Sequence, residues 1–155
     1  TEGFNEWTML RLRDGRLLGI MRTGHYTPLV ASWSGDGGKT WTSPLPMNSL
    51  GPGCDPYLLQ LSDGRLALAY GQIVPPKEPR ELYWKEYGKR ADHRRRCLLA
   101  ISDDGAGKDW SAGVVADYAP RSAYPTIFEV EPHLLVYQSD LDLWRVQVQG
   151  PGRKQ

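Results

Sequence analysis

The sequence predicts an all-β chain built from repeated four-stranded antiparallel sheets, the content of β-propeller blades. Three observations predict it. A turn phrase, Leu12-x-Asp14-Gly15-Arg16-Leu17, recurs as Leu61-x-Asp63-Gly64-Arg65-Leu66, each time between two short apolar runs. A second phrase, Ser34-Gly35-Asp36-Gly37-Gly38-Lys39-Thr40-Trp41, has the chemistry of a hairpin tip and returns imperfectly from Ser102 to Trp110. The 155 residues include 17 glycines and 12 prolines, which suits a fold with many turns.

The elements follow in order. Trp7 to Leu12 reads as a strand, Arg13 to Arg16 as a tight turn, and Leu17 to Met21 as the returning strand. Thr23 to Thr27 is a polar loop. Leu29 to Trp33 leads into the glycine-rich tip, and Trp41 is expected to begin a fourth strand. At that tip the glycines can take positive φ, and Asp36 can turn its carboxylate onto nearby N–H groups. The pattern then restarts. Tyr57 to Leu61 and Leu66 to Tyr70 are strands, and Ile73 to Arg96 is a long polar insertion. Cys97 to Ile101 is the third strand, and Trp110 to Val115 the expected fourth. A third unit runs through Tyr124 to Val130, Leu134 to Tyr137 and Leu143 to Val148, with Glu131-Pro132-His133 where Asp-Gly stood before. The blades are therefore expected at about 1–53, 54–118 and 119–150, with a disordered tail at 151–155.

Composition narrows the function. A formal net charge of +1 gives no case for nucleic acid or a membrane surface as partner. No apolar run approaches the roughly 18 residues of a membrane helix. Cys54 and Cys97 match no metal or redox spacing; they read as two buried thiols or as one disulfide. His25, His93 and His133 have no ligand spacing, so no metal and no cofactor are expected.

The meander also sorts residues by end. The second strand ends, and the third begins, at the rim where the innermost strand starts. The glycine-rich tips join third and fourth strands, so they lie at the other rim. The first rim collects Asn5 and Glu6, Arg22 to Thr27, Asp55, the long insertion ending in Arg94 to Arg96, Tyr124, and Tyr137 to Asp140; Glu6, Arg22 and Tyr124 stand out among them. No motif attaches a role to Asp55.

The glycine-rich phrase, S-x-D-x-G-x-T-W, resembles the Asp box of sialidases and related bacterial-neuraminidase-repeat propellers. Its structural residues here are Ser34, Asp36, Gly38 and Trp41, and in the second copy Ser102, Asp104 and Trp110. The resemblance implies a propeller of the six-bladed sialidase type, this chain supplying about three blades of its C-terminal half. Further sequence, a second copy or another chain would then close the ring. The segment from Asn5-Glu6 through Asp14-Gly15-Arg16-Leu17-Leu18 to Met21-Arg22 is similar to one that supplies a catalytic Glu and a substrate-binding Arg in that family. By the same resemblance Arg94, with Arg96 on its strand face, takes the place of the next arginine, and Tyr124 that of the tyrosine nucleophile.

The chemistry accounts for these residue types. Arginines grip a sugar carboxylate through paired, charge-assisted hydrogen bonds. A carboxylate nucleophile would be repelled by that anion, and a phenol beside a base such as Glu6 can replace it. Tyr83 and Trp84, in a polar insertion, are candidates for stacking on sugar rings. The resemblance thus implies a sialic-acid-type glycan as ligand and favours a secreted or periplasmic location. That family's first arginine and its aspartate acid/base belong upstream of Thr1, so this chain alone is expected to be weakly active or inactive. Two alternatives stand: a non-catalytic Asp-box propeller binding glycan or protein, and a hydrolase or lyase for another anionic sugar.

Overall fold

The computed structural model describes residues 3–24, 27–73, 95–117, 124–139 and 143–150. They form three antiparallel sheets. The first holds β1 (Asn5–Arg11), β2 (Leu17–Arg22), β3 (Val30–Ser34) and β4 (Leu45–Pro46) in that spatial order. The second holds β5 (Cys54–Gln60), β6 (Leu66–Ile73), β7 (Arg95–Ser102) and β8 (Val114–Asp117), and the third β9 (Thr126–Glu131), β10 (Leu134–Gln138) and β11 (Leu143–Gln147). Sequential strands pair throughout, which is the meander of propeller blades. Among the described residues no helix is long and apolar enough to cross a membrane.

The repeated turn phrase builds the same turn twice. Leu12 N–H donates to Arg16 O at 2.8 Å, and Leu61 N–H to Arg65 O at 2.8 Å. Both need a left-handed residue, and Gly15 (φ 89°) and Gly64 (φ 97°) supply it. In the third blade His133 takes that conformation instead (φ 67°), its N–H donating to Glu129 Oε1 at 3.0 Å.

The blades stack face to face. Along β6, Leu66, Leu68 and Tyr70 point to the first blade and meet Leu18, Ile20, Ala31 and Trp33. Ala67 and Ala69 point the other way, to Ile127, Leu135 and Tyr137 of the third blade. The period-2 alternation of the strand therefore buries both faces, large side chains on one and small on the other. Polar pins add to this. The Trp33 indole N–H reaches Ala106 O at 2.8 Å, and Ser62 donates to Glu129 through both its N–H (2.6 Å) and its hydroxyl (2.9 Å).

Both Asp boxes close on their aspartate. Asp36 accepts from the Ser34 hydroxyl (2.8 Å), Thr40 N–H (2.9 Å) and the Thr40 hydroxyl (2.6 Å). Thr40's hydroxyl foremost, then its N–H, hold the Asp36 carboxyl down to about 2. Asp104 lacks the threonine and recruits backbone instead: the N–H groups of Ala106, Gly107, Lys108 and Asp109 lie 2.8–3.2 Å from its oxygens. Burial pushes its pKa up, but the Ser102 hydroxyl and those N–H groups outweigh it and the net shift is downward.

One expectation needs correction. The fourth strands do not begin at Trp41 and Trp110; they are Leu45–Pro46 and Val114–Asp117. Each tryptophan instead folds back over its own hairpin, its indole N–H donating to Gly38 O (3.1 Å) or Gly107 O (2.9 Å). Of the two readings of the cysteines, the structure has the two buried thiols, with no bridge between Cys54 and Cys97. They sit on β5 and β7, both paired with Gly71 of the strand between them. That puts two strand spacings, about 9–10 Å, between their Cα atoms, beyond the ~7 Å limit for a disulfide.

Candidate active site

The inner strand of each blade opens on a strained residue. Glu6, Asp55 and Tyr124 have φ values of 41°, 48° and 50°, in the left-handed region that non-glycine residues avoid. In β1 the strand register shifts between Asn5 and Trp7, and in β5 between Cys54 and Tyr57. Each shift is a bulge that takes Glu6 or Asp55 out of the ladder pairing.

Together the three residues line one hollow of about 250 Å³, with Trp7, Pro56, Tyr57, Pro125 and Thr126. Its lining is mostly aromatic and prolyl, with two acidic residues among it. Asp55 is only 6 % exposed, whereas Tyr124 is 64 % exposed and presents its phenol to solvent.

Glu6 joins two blades. One carboxylate oxygen takes Arg22 Nη1 at 2.5 Å, and the other accepts Asp55 N–H at 3.1 Å. Arg22 lies at the end of β2, beside the start of β1, because Asn5 and Arg22 are register partners. Its guanidinium is buried. A carboxylate this close neutralises it, and the pair is shielded from water on the Arg22 side. Asp55 extends the line to the third blade: its Oδ2 accepts Tyr124 N–H at a long 3.5 Å.

Glu6, Arg22 and Tyr124 are thus brought to one end of the sheets. Arg96 is in β7, opposite Gln72 of β6, and its Nε donates to Gln72 Oε1 at 2.7 Å. Gln72 in turn donates to Leu50 O at 3.3 Å, so this arginine is engaged by its own blade and the linker before it. Arg94, Tyr83 and Trp84 lie outside the described residues, as does the tail at 151–155. The Asp-box residues are at the opposite end, since Ser34 pairs with Leu17, the far end of β2 from Arg22. Asp55 is the site residue to which no motif led. A signal existed: Asp55 precedes Leu61 by the same six residues that separate Glu6 from Leu12. Among the described residues there is no group of three His, Cys, Asp or Glu side chains placed to hold a metal.

Residues 1–136 match the family model of the BNR repeat-like domain. No curated protein sequence matches significantly. Among solved structures, the GH43 protein BlXynB of Bacillus licheniformis superposes with a TM-score of 0.62 at 17 % identity, over 98 % of this chain and 33 % of that one. The Hadza microbial sialidase Hz136 superposes with 0.56 at 13 % identity, over 90 % and 42 %. The intramolecular trans-sialidase of Ruminococcus gnavus gives 0.52 at 18 %, over 94 % and 34 %. The chain spans well under half the length of these relatives, and the likeness is one of fold.

Proposed function

Because the chain belongs to the family of BNR repeat-like domains, and its fold is that of glycoside-hydrolase-like propellers, we propose that its axial rim is part of a glycosidase site of the sialidase type. In this reading Tyr124 is the nucleophile, Glu6 its base, and Arg22 with Arg94 and Arg96 grip the carboxylate of a sialic-acid-type glycan. The phenol oxygen bonds to the anomeric carbon as the glycosidic C–O bond breaks, and the phenol proton passes to Glu6. An acid from the remainder of the propeller protonates the departing oxygen, and water later releases the sugar with retained configuration.

The observation that carries the reading is the shared hollow of Glu6 and Tyr124, with Arg22 held 2.5 Å behind Glu6. The test is hydrolysis of a fluorogenic sialoside by the complete propeller, with Tyr124→Phe as control. The variant is expected to lose at least about a hundredfold in kcat, the scale of a lost nucleophile or base. Undiminished turnover removes Tyr124 from the role.

A second reading has its own observation. Two acidic residues, Glu6 and Asp55, line the hollow, and the Arg22 guanidinium is engaged by Glu6. Two carboxylates are the usual machinery for uncharged sugars, and BlXynB, one of the structural neighbours, is a GH43 protein. Arabinosides and xylosides in the same assay, beside sialosides and uronides, separate the two readings. Binding on a glycan array without turnover of any of them favours a non-catalytic propeller.

A further inference from the structure

Tyr124 poses a mechanical problem. The residue is 64 % exposed, so packing holds its side chain little, yet its main chain holds a left-handed φ of 50°. Such a backbone is strained and persists only where its surroundings hold it. Pro125 follows, fully buried, and constrains one side. On the other side the N–H of Tyr124 points to Asp55 Oδ2 at 3.5 Å.

Asp55 is well placed to act as an anchor. It is 6 % exposed and its own N–H is held by Glu6 Oε2 at 3.1 Å. Gly71 of β6 lies beside it. A Cβ there would stand 2.9 Å from Cys54 Sγ and 3.4 Å from Asp55 Oδ2. The same contact is used twice in succession. The carboxylate that opens one inner strand accepts the N–H of the residue opening the next: Glu6 for Asp55, then Asp55 for Tyr124.

We infer that Asp55 is a positioning residue of this site, setting the main chain of Tyr124 and so the direction of its phenol. Its consequence for catalysis rests on the sialidase-type role of Tyr124; the positioning itself does not. The full chain labelled with 15N-tyrosine gives the direct readout, the Tyr124 amide, assigned through Tyr124→Phe. Asp55→Gly keeps the left-handed backbone, which glycine adopts freely, but removes the acceptor. Asp55→Asn keeps both, since Asn tolerates that conformation and retains a carbonyl oxygen.

The expected result is a moved Tyr124 resonance and amide exchange about three- to tenfold faster in Asp55→Gly, the scale of one lost hydrogen bond. Asp55→Asn should stay close to the parent, and the amides of Tyr70 and Tyr137, buried in the core, should not move. An unmoved Tyr124 amide in folded Asp55→Gly overturns the inference. Where that variant does not fold, the parent protein decides: a Tyr124 amide that exchanges as fast as an unprotected peptide overturns the inference. In the complete propeller, Asp55→Gly is expected to lower kcat at least about tenfold with KM within about twofold, and Asp55→Asn to restore most of it. A kcat that Asp55→Gly leaves unchanged, in a propeller where Tyr124→Phe is inactive, also counts against it. If Tyr124→Phe keeps full activity, the catalytic role of Tyr124 falls while the amide result still decides the positioning.

Discussion

Glu6 binds Arg22 through one carboxylate oxygen at 2.5 Å and the N–H of Asp55 through the other at 3.1 Å. One side chain thus fastens the end of β2 and the start of the next blade's inner strand. Glu6→Ala removes both contacts and takes the counter-charge from a guanidinium whose side chain is 9 % exposed. The expected loss of stability is about 1–3 kcal/mol, below that of a fully buried pair because Glu6 is itself 27 % exposed. Glu6→Gln, which keeps an acceptor for Asp55, should lose less. Urea unfolding of the three proteins decides it. Equal stability of parent and Glu6→Ala would mean the contact has no energetic consequence.

Acid should act through the first Asp box. Thr40's hydroxyl and N–H, with the Ser34 hydroxyl, hold Asp36 at about 2, against an ordinary carboxyl near 3.8. A folded-state pKa below the unfolded one means stability that is complete above the unfolded value and is lost as pH falls toward the folded one. The thermal midpoint should therefore fall between about pH 4 and pH 2. Asp36→Asn, which does not titrate, should start lower at pH 6 and show a flatter profile in that window. Parallel profiles for the two proteins would remove Asp36 from the acid response.

The turns and the Asp boxes were legible in the sequence because their causes are local. Gly15 and Gly64 are needed for a left-handed turn residue, and Asp36 finds its partners within four residues. The fourth strands were misread because a tryptophan suits a strand, while here Trp41 packs over Gly19 and leaves strand pairing to Leu45. Of the site, Glu6, Arg22 and Tyr124 could be gathered from meander geometry. Asp55 could not be ranked that way. Its importance comes from Glu6, 49 residues earlier, and Tyr124, 69 residues later. Left-handed backbone at a glutamate, an aspartate and a tyrosine has no signature in residue type. It is imposed by bulges and by contacts between blades.

The two cysteines should remain thiols under oxidising conditions. Cys97 is fully buried, Cys54 is 2 % exposed, and a whole strand separates them. Thiol titration of the denatured chain after air oxidation is expected to give two free thiols per molecule, and reductant should leave the thermal midpoint unchanged. A single intramolecular bridge in the native protein would require β5 and β7 to meet without β6, and would refute this sheet order.

Two glycines separate backbone strain from packing. Gly37 (φ 76°) has open space where a Cβ would be, so Gly37→Ala bears only the left-handed cost of about 1–2 kcal/mol. Gly107 has nearly the same φ, 72°, but a Cβ there would come 2.5 Å from Leu18 Cδ2 and 3.2 Å from Leu66 Cδ1. Those leucines belong to the core between the first two blades, and they are fully buried with no room to retreat. Gly107→Ala should add an overpacking cost of about 1–3 kcal/mol to the backbone term. Chemical denaturation of the two variants measures the difference directly, because the shared φ cancels. A Gly107→Ala protein no less stable than Gly37→Ala would show that the second Asp box does not press on the seam between the blades.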